Sequence, residues 1–249
     1  MKVKLMFGDC LERLKEIPDK SVDLILTDPP YGVTYHGWDK ALNISKVWPI
    51  INNKIKDKSV TCLFCLDKFS ASLKLSNTKM YRYEWIWEKP NGSNFSNCKL
   101  QPMKVHEHII IFSHAAAVAS KGNEINYYPQ MEIGKPYSTK RGDAGLYQYN
   151  HKCFDNHKTI NSGTRYPRSI IKFNQDKGKH PTQKPVALLR YLIKTYTLEN
   201  ETVLDFTMGS GSTGVASLIE KRNFIGIENN KEYFKLASNR IKDYKSEIK

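Results

Sequence analysis

The chain lacks any long hydrophobic run. No stretch of its 249 residues approaches the roughly 18 consecutive apolar residues of a membrane-spanning helix. The first residues include basic side chains, but their apolar run, Leu5 to Phe7, is only three residues long. Such a start does not match an export signal. We therefore expect a cytoplasmic protein with no membrane partner.

Cysteine is scarce, and its placement excludes the usual disulfide frameworks. The five cysteines, at positions 10, 62, 65, 98 and 153, form an odd set in a chain without an export signal, so free thiols are expected. Cys62 and Cys65 stand inside an apolar strand, and no second Cys pair completes a tetrahedral metal site. His106 and His108 lie in another apolar strand. We predict core packing for these residues and no bound metal.

Acidic residues are few relative to basic ones. Lys and Arg number 39 against 25 Asp and Glu, a net charge of +14. This excess favours an anionic partner, nucleic acid first, although a solvated basic surface would have the same composition.

Strand patterns alternate with helical patterns over most of the chain. Apolar strand-like runs occupy residues 2–7, 22–26, 60–66, 83–88, 106–112, 203–206 and 224–227. Helical patterns occupy residues 11–17, 43–56, 186–196, 213–220 and 232–248. This alternation predicts one α/β domain over 1–249, with a mostly parallel central sheet and helices on both faces.

The middle of the chain breaks this rhythm. Between His114 and Lys184, twelve basic residues stand against five acidic ones, with eight aromatic residues interleaved. Cations can contact phosphates and aromatic rings can stack on bases, so the segment predicts a nucleic-acid surface. A long loop without a specific role is the alternative. The predicted contacts are Arg141, Arg165 and Arg168, together with Trp38 in the loop from Gly32 to Asp39.

A glycine-rich turn near the C-terminus predicts a cofactor site. Gly209-x-Gly211-x-x-Gly214 follows an apolar strand and opens a helix, and Glu228 ends the next strand, where it can accept hydrogen bonds from ribose hydroxyls. Asp205 would attract an ammonium group and repel a pyrophosphate, and Phe206 would attract a sulfonium. These two residues favour S-adenosylmethionine over NAD.

Asp28-Pro29-Pro30-Tyr31 ends another apolar strand and predicts a catalytic site. An exocyclic amine is a poor nucleophile because its lone pair is delocalised into the base. Asp28 and the Pro29 carbonyl can accept hydrogen bonds from the two N–H groups of the amine. The rigid Pro-Pro backbone fixes the positions of these acceptors. Tyr31 can stack on a base extruded from the duplex. Read alone, Asp-Pro also fits an ordinary strand-to-turn exit.

The order of these motifs resembles the β group of DNA amino-methyltransferases. The catalytic motif comes first, then the recognition segment, then the cofactor motif. Further similar segments are Gly8-Asp9-Cys10, Trp85 to Pro90, His106-Glu107-His108 and His180 to Pro185. The resemblance implies a Rossmann-like methyltransferase fold with circularly permuted motif order. Its parts would be a catalytic half (1–113), a target-recognition insertion (114–179) and a cofactor-binding half (180–249).

The resemblance also implies residue roles. Asp9 and Cys10 would flank the adenine of S-adenosylmethionine, and Glu228, with Asn229 beside it, would hold the ribose. The remaining implied cofactor residues are Asp28, Thr182, Gln183, Lys184, Asp205, Phe206, Gly209, Ser210 and Gly211.

The implied activity is site-specific methylation of the N6 amine of a flipped-out adenine in double-stranded DNA. Cytosine-N4 members of the group more often carry Ser in place of Asp28, so adenine is favoured. RNA adenine methylation and DNA cytosine-N4 methylation stay open as alternatives. A cytosine-carbon methyltransferase needs a nucleophilic cysteine, usually after proline, and no cysteine here follows proline.

Two alternatives of other classes leave more of the sequence unexplained. An NAD-dependent oxidoreductase would explain neither Asp-Pro-Pro-Tyr nor the charge, and a DNA-binding module would explain neither motif. A second copy of the chain and a cognate restriction endonuclease stay open as protein partners.

Overall fold

The computed structural model describes residues 1–30, 42–140, 158–176 and 183–247. Four of the predicted site residues, Tyr31, Trp38, Arg141 and Thr182, lie outside these ranges. Among the described residues, no helix is long and apolar enough to cross a membrane.

Within the described residues the chain forms twelve strands and six α-helices. The strands are β1 (Val3–Phe7), β2 (Val22–Thr27), β3 (Ile55–Cys65), β4 (Tyr81–Ser93), β5 (Lys104–Phe112), β6 (Glu132–Ile133), β7 (Tyr137–Lys140), β8 (Lys158–Asn161), β9 (Thr164–Arg165), β10 (Ile170–Lys172), β11 (Thr202–Asp205) and β12 (Asn223–Glu228). The helices are α1 (Cys10–Arg13), α2 (Ile44–Lys54), α3 (Asp67–Ser76), α4 (Val186–Tyr196), α5 (Ser212–Ile219) and α6 (Lys231–Glu247).

Eight strands form one central sheet in the order β1-β12-β11-β2-β3-β5-β4-β10. Every neighbouring pair is parallel except the two pairs that include β5. The predicted mostly parallel sheet is therefore confirmed. Its centre joins distant parts of the chain, because β2 pairs with β11 on one side and β3 on the other.

Alternation along the strands divides the core into two layers, one on each face of the sheet. In β3, Cys62 packs into one layer, whereas Leu63 and Cys65 pack into the other, as successive side chains of a strand must. The first layer includes side chains of α4, α5 and α6, and the second includes side chains of α1, α2 and α3. Cys62 and Cys65 are both fully buried, which confirms their predicted role in core packing.

The chain divides into two compact units. The first comprises Met1–Tyr128 and Ser169–Lys249, and the second comprises Pro129–Arg168. The second unit is shorter than the predicted insertion over 114–179, because β10 pairs with β4 in the central sheet and residues 114–128 also belong to the first unit. Within the second unit, β6 pairs with β9 and β7 pairs with β8, both antiparallel.

Candidate active site

The predicted catalytic and cofactor motifs follow three neighbouring parallel strands. Asp28 comes directly after β2, Asp205 ends β11 and Glu228 ends β12. Since β11 pairs with β2 on one side and β12 on the other, the three carboxylates follow one edge of the sheet. Ligands of open α/β sheets bind outside this carboxyl edge.

Two threonines join the catalytic motif to the glycine-rich turn. The hydroxyls of Thr27 and Thr207 lie 2.6 Å apart. Thr27 Oγ1 lies 2.7 Å from Asp205 Oδ1, and Thr207 Oγ1 lies 3.2 Å from the carbonyl oxygen of Asp28. The Thr207 N–H also donates to Asp205 Oδ1 at 3.1 Å. Segments about 180 residues apart in sequence are therefore parts of one hydrogen-bonded unit.

Asp205 is a buried carboxylate beneath the turn. Burial raises its pKa to about 6, although hydrogen bonds from Thr213, Thr27 and the Thr207 N–H act in the opposite direction. At neutral pH it carries a negative charge, which suits the ammonium group of an amino acid. Phe206, the next residue, is 1% exposed and packs into the core layer beside α1 to α3. Its contact with a sulfonium stays a prediction.

Two glycines of the turn have left-handed backbone conformations for different reasons. Gly211 has φ +78°, and a Cβ there would come within 2.9 Å of the Ala237 Cβ on α6. Gly209 has φ +50°, and a Cβ there would meet no atom within 4 Å. Gly211 is therefore needed for helix packing, whereas Gly209 leaves room for a ligand to approach the backbone. Ser210, between them, is buried.

Glu228 contacts both sides of the turn. Its Oε2 accepts the Gly209 N–H at 2.9 Å, and its Oε1 accepts the Asn230 N–H at 2.8 Å. A carboxylate oxygen can accept a second hydrogen bond, so each oxygen is a suitable acceptor for a ribose hydroxyl. Asn229 is exposed beside it. Acceptors at Glu228, open space at Gly209 and charge at Asp205 together fit S-adenosylmethionine.

Asp9 and Cys10 lie at the start of α1, next to this strand end. The Gly8 N–H donates to the Glu228 carbonyl at 3.0 Å, and Asp9 caps the helix by accepting the Leu11 N–H at 2.8 Å. Burial raises the pKa of Cys10 to about 11, with a further contribution from the charge of Asp9. The thiol is therefore neutral at physiological pH and unsuited to nucleophilic attack.

Lys184 lies against the carboxylate of Asp28, the predicted catalytic residue. Its Nζ pairs with Asp28 Oδ2 and lies 3.4 Å from Glu107 Oε2. Burial alone would lower the pKa of Lys184, but the charges of Asp28 and Glu107 outweigh it and raise the pKa. The ammonium group is therefore retained at neutral pH. A cofactor contact of Lys184 stays a prediction.

Gln183 lies close to the glycine-rich turn through an arginine of α6. Arg240 donates to Gln183 Oε1 at 3.3 Å, to the Ser210 carbonyl at 3.3 Å and to Ser212 Oγ at 2.9 Å. The segment before α4 and the turn before α5 thus share one cation.

Sequence reasoning gave no site role to five residues found here, although two of them lie in segments similar to the family: Thr27, Lys89, Glu107, Thr207 and Arg240. Lys89 and Glu107 are charged residues within β4 and β5, and a buried charge inside a strand needs a partner. Their position inside strand patterns is the signal in the sequence, and Glu84 and Glu88 of β4 share it. Among the described residues, no group of three or more His, Cys, Asp or Glu side chains is arranged to hold a metal.

The two described arginines of the predicted nucleic-acid surface have different environments. Arg168 is exposed. Arg165 is half-buried within the second unit, where its guanidinium lies 4.5 Å from the Tyr137 ring centroid and donates to the Lys135 carbonyl at 2.5 Å. Its role in binding nucleic acid stays a prediction.

Comparison with known proteins supports the chemistry inferred from this edge. A family model for N6 and N4 methyltransferases, described as DNA methylase, matches residues 22–239. The chain is similar to the type II methyltransferase M2.MboI of Moraxella bovis, with 26% identity over 94% of this chain and 85% of that protein. It is also similar to the DNA adenine methyltransferase YhdJ of Escherichia coli K12, with 28% identity over 95% and 82%.

A solved structure has the same fold. The M1.HpyAVI–SAM complex superposes with a TM-score of 0.64 at 24% identity, over 96% of this chain and 98% of that one. This likeness confirms the predicted methyltransferase fold.

Proposed function

This chain belongs to the N6/N4 DNA methylase family, and from that premise we propose that it methylates the N6 amine of adenine at a specific DNA sequence. S-Adenosylmethionine is the methyl donor. The observation that carries the proposal is the pair of threonine hydroxyls that joins Asp28 to the glycine-rich turn. A group that activates an amine and a turn that binds a methyl donor must lie close together, and this contact keeps them so.

The proposed reaction uses Asp28 and the Pro29 carbonyl as two fixed acceptors. Each accepts one N–H of the adenine amine, which favours a tetrahedral nitrogen with an available lone pair. Pro29 is buried and Pro30 fixes the backbone after it, so these acceptors need no reorganisation during the reaction. When bound, S-adenosylmethionine supplies an electrophilic methyl group on its sulfonium.

Three residues of the cofactor site would each contact a different part of S-adenosylmethionine. Glu228 would accept hydrogen bonds from the ribose hydroxyls, and Asp205 would attract the ammonium group. Gly209 would leave room for the methionine portion. Asp9 would lie near the adenine, with Cys10 packed behind it.

Adenine is proposed over cytosine because Asp28 stands where cytosine-N4 members more often have Ser. DNA is proposed over RNA because the family is one of DNA methylases. The second unit, with Arg165 and Arg168, and the segment that contains Trp38 are proposed to recognise the target. A cytoplasmic location, a homodimer and a cognate restriction endonuclease fit a restriction–modification role.

The test is to incubate the purified protein with methyl-labelled S-adenosylmethionine and DNA of varied sequence, then digest the DNA to nucleosides. We expect N6-methyladenosine in its deoxy form, confined to one sequence. Labelled N4-methylcytosine, or methylation of a matched RNA alone, would contradict the proposal.

A further inference from the structure

Four charged side chains form a row behind the catalytic motif. Lys89 Nζ lies 3.2 Å from Glu107 Oε1, Glu107 Oε2 lies 3.4 Å from Lys184 Nζ, and Lys184 pairs with Asp28. The charges alternate in sign along the row. The side chains of Lys89, Glu107 and Lys184 are 8%, 10% and 11% exposed, whereas that of Asp28 is 25% exposed.

The fold brings this row together from four separate segments. Asp28 follows β2, Lys89 lies in β4, Glu107 lies in β5 and Lys184 precedes α4. Because β5 runs opposite to the other strands of the sheet, its N-terminal part lies at the same edge as Asp28. Glu107 therefore lies behind the reaction site although its strand is antiparallel.

Burying three charges requires a reason, since desolvation is costly even for a paired ion. Burial would raise the pKa of Glu107, but the charges of Lys184 and Lys89 outweigh it and lower the pKa. Glu107 is therefore ionised, and it places a second negative charge beside the Lys184 ammonium group. Lys184 is thus held between two carboxylates.

We infer that Glu107 is a positioning residue for methyl transfer: anchored by Lys89, it fixes the Lys184 ammonium, and Lys184 in turn fixes the Asp28 carboxylate. The inference rests on the proposed function of Asp28. Asp205 lies near enough to act electrostatically on Asp28, so a cation beside Asp28 also offsets this repulsion. Lys184 thereby orients the carboxylate that binds the substrate amine, and it does not bind the cofactor.

The main test is Glu107→Gln, which keeps the shape of the side chain and removes its charge. Loss of orientation at Asp28 should lower the single-turnover rate by about 10²-fold, the effect expected of a small misplacement of a reacting group. The dissociation constant for S-adenosylmethionine, measured by calorimetry without DNA, should change by less than about threefold, because the lost interaction acts in catalysis.

A double-mutant cycle separates positioning from a general loss of structure. Asp28→Asn removes the carboxylate through which Glu107 is inferred to act. In that background, Glu107→Gln should lower the residual rate no further, because residues that act as one unit are not additive. An equal loss in both backgrounds would contradict the inference.

Lys89 needs its own variant, since Glu107→Gln leaves it buried and unpaired. The double variant Lys89→Met/Glu107→Gln removes both charges together, a change that buried ion pairs often tolerate. We expect it to fold and to lose the same activity as Glu107→Gln. Glu84→Gln is the matched control: Glu84 lies in β4, 2.9 Å from both Lys74 and His108, outside the row. This control should keep the wild-type rate.

Each outcome decides between the two proposals. A wild-type protein that makes no N6-methyladenine would overturn the proposed function and this inference with it. An active wild type with an equally active Glu107→Gln variant would overturn the inference alone. Weaker cofactor binding with a wild-type rate at saturation would also overturn it, because Lys184 would then serve the cofactor.

Discussion

The carboxyl edge of the central sheet and the second unit differ in how densely their side chains pack. At the edge, Asp205 and Glu107 are buried, the side chain of Lys184 is 11% exposed, and each has an identified partner. In the second unit, Arg168 is exposed, and apolar side chains such as Ile133 and Ile160 are 98% and 74% exposed. The described strands of that unit span no more than four residues.

This contrast follows from what each region is proposed to do. Chemistry requires groups fixed to within a fraction of an ångström, which packed strands and satisfied hydrogen bonds supply. Contact with a polyanion requires accessible cations, which do not need a dense core. Substitutions at the edge should therefore change rate, cofactor affinity or pH dependence, whereas substitutions in the second unit should change DNA binding.

The largest effect is expected at Asp28. Asp28→Ala should lower methyl transfer by at least about 10²-fold, the scale of removing one preorganised polar group. Affinity for S-adenosylmethionine should largely remain, since most proposed cofactor contacts lie elsewhere. Single-turnover kinetics and calorimetry measure the two quantities. Asp57→Ala, at an exposed carboxylate paired with Lys20 at 2.5 Å, is the control. A near-normal rate for Asp28→Ala would refute the assigned role.

Asp205 should make stability fall as pH rises. Its pKa in the folded protein, about 6, exceeds the ordinary aspartate value of 3.8, so the folded state binds the proton more tightly. The favourable contribution of Asp205 to the free energy of unfolding is present below about pH 4 and is lost by about pH 6. The change is roughly 3 kcal/mol. Denaturant unfolding of the wild type and of Asp205→Asn across this pH range measures the change in the free energy of unfolding. If the free energies of unfolding of the two proteins changed with pH in the same way, Asp205 would not be the group responsible for the pH dependence.

Glu228→Ala should weaken S-adenosylmethionine binding by roughly 1.5–3 kcal/mol, the value of hydrogen bonds to a charged group. Two ribose hydroxyls would lose their acceptor, and the Gly209 and Asn230 N–H groups would lose theirs. Glu228→Gln should lose less, because it retains one acceptor oxygen. Unchanged affinity in calorimetry would remove Glu228 from the cofactor site.

The smallest effect is expected in the second unit. Arg168→Ala should weaken binding to all DNA sequences and reduce the slope of log affinity against log salt by about one. Arg165→Ala should additionally reduce hydrogen-exchange protection near Lys135, because its guanidinium donates to that carbonyl. A change of target sequence with either variant would instead indicate base recognition.

Short-range patterns predicted most of the elements, because apolar periodicity records which faces are buried. The predicted helix over 186–196 has the observed bounds, and the strands that precede the motifs end at Thr27, Asp205 and Glu228, each within one residue of the predicted end. Periodicity carries no information on strand direction, so the antiparallel β5 could not be foreseen. Nor does it show that Lys184 meets Asp28 and Glu107, since long-range pairing depends on the folded topology.

The predicted strand ends were less accurate where a strand continues through polar residues. β3 begins at Ile55, which pairs with Val22, although the residues after it are hydrophilic. β4 likewise continues to Ser93, which pairs with Lys104. Backbone pairing with a neighbour determines these ends, and side-chain hydrophobicity does not.

The central place of β2 also governs how the protein assembles during synthesis. Its partner β11 is translated about 180 residues later, so at 5–20 residues per second one edge of β2 stays unpaired for roughly 10–40 s. An apolar strand with a bare edge invites pairing with another nascent chain. Translation speed and chaperone supply should therefore govern the yield of soluble protein, and the methylating centre can form only after β11 has left the ribosome.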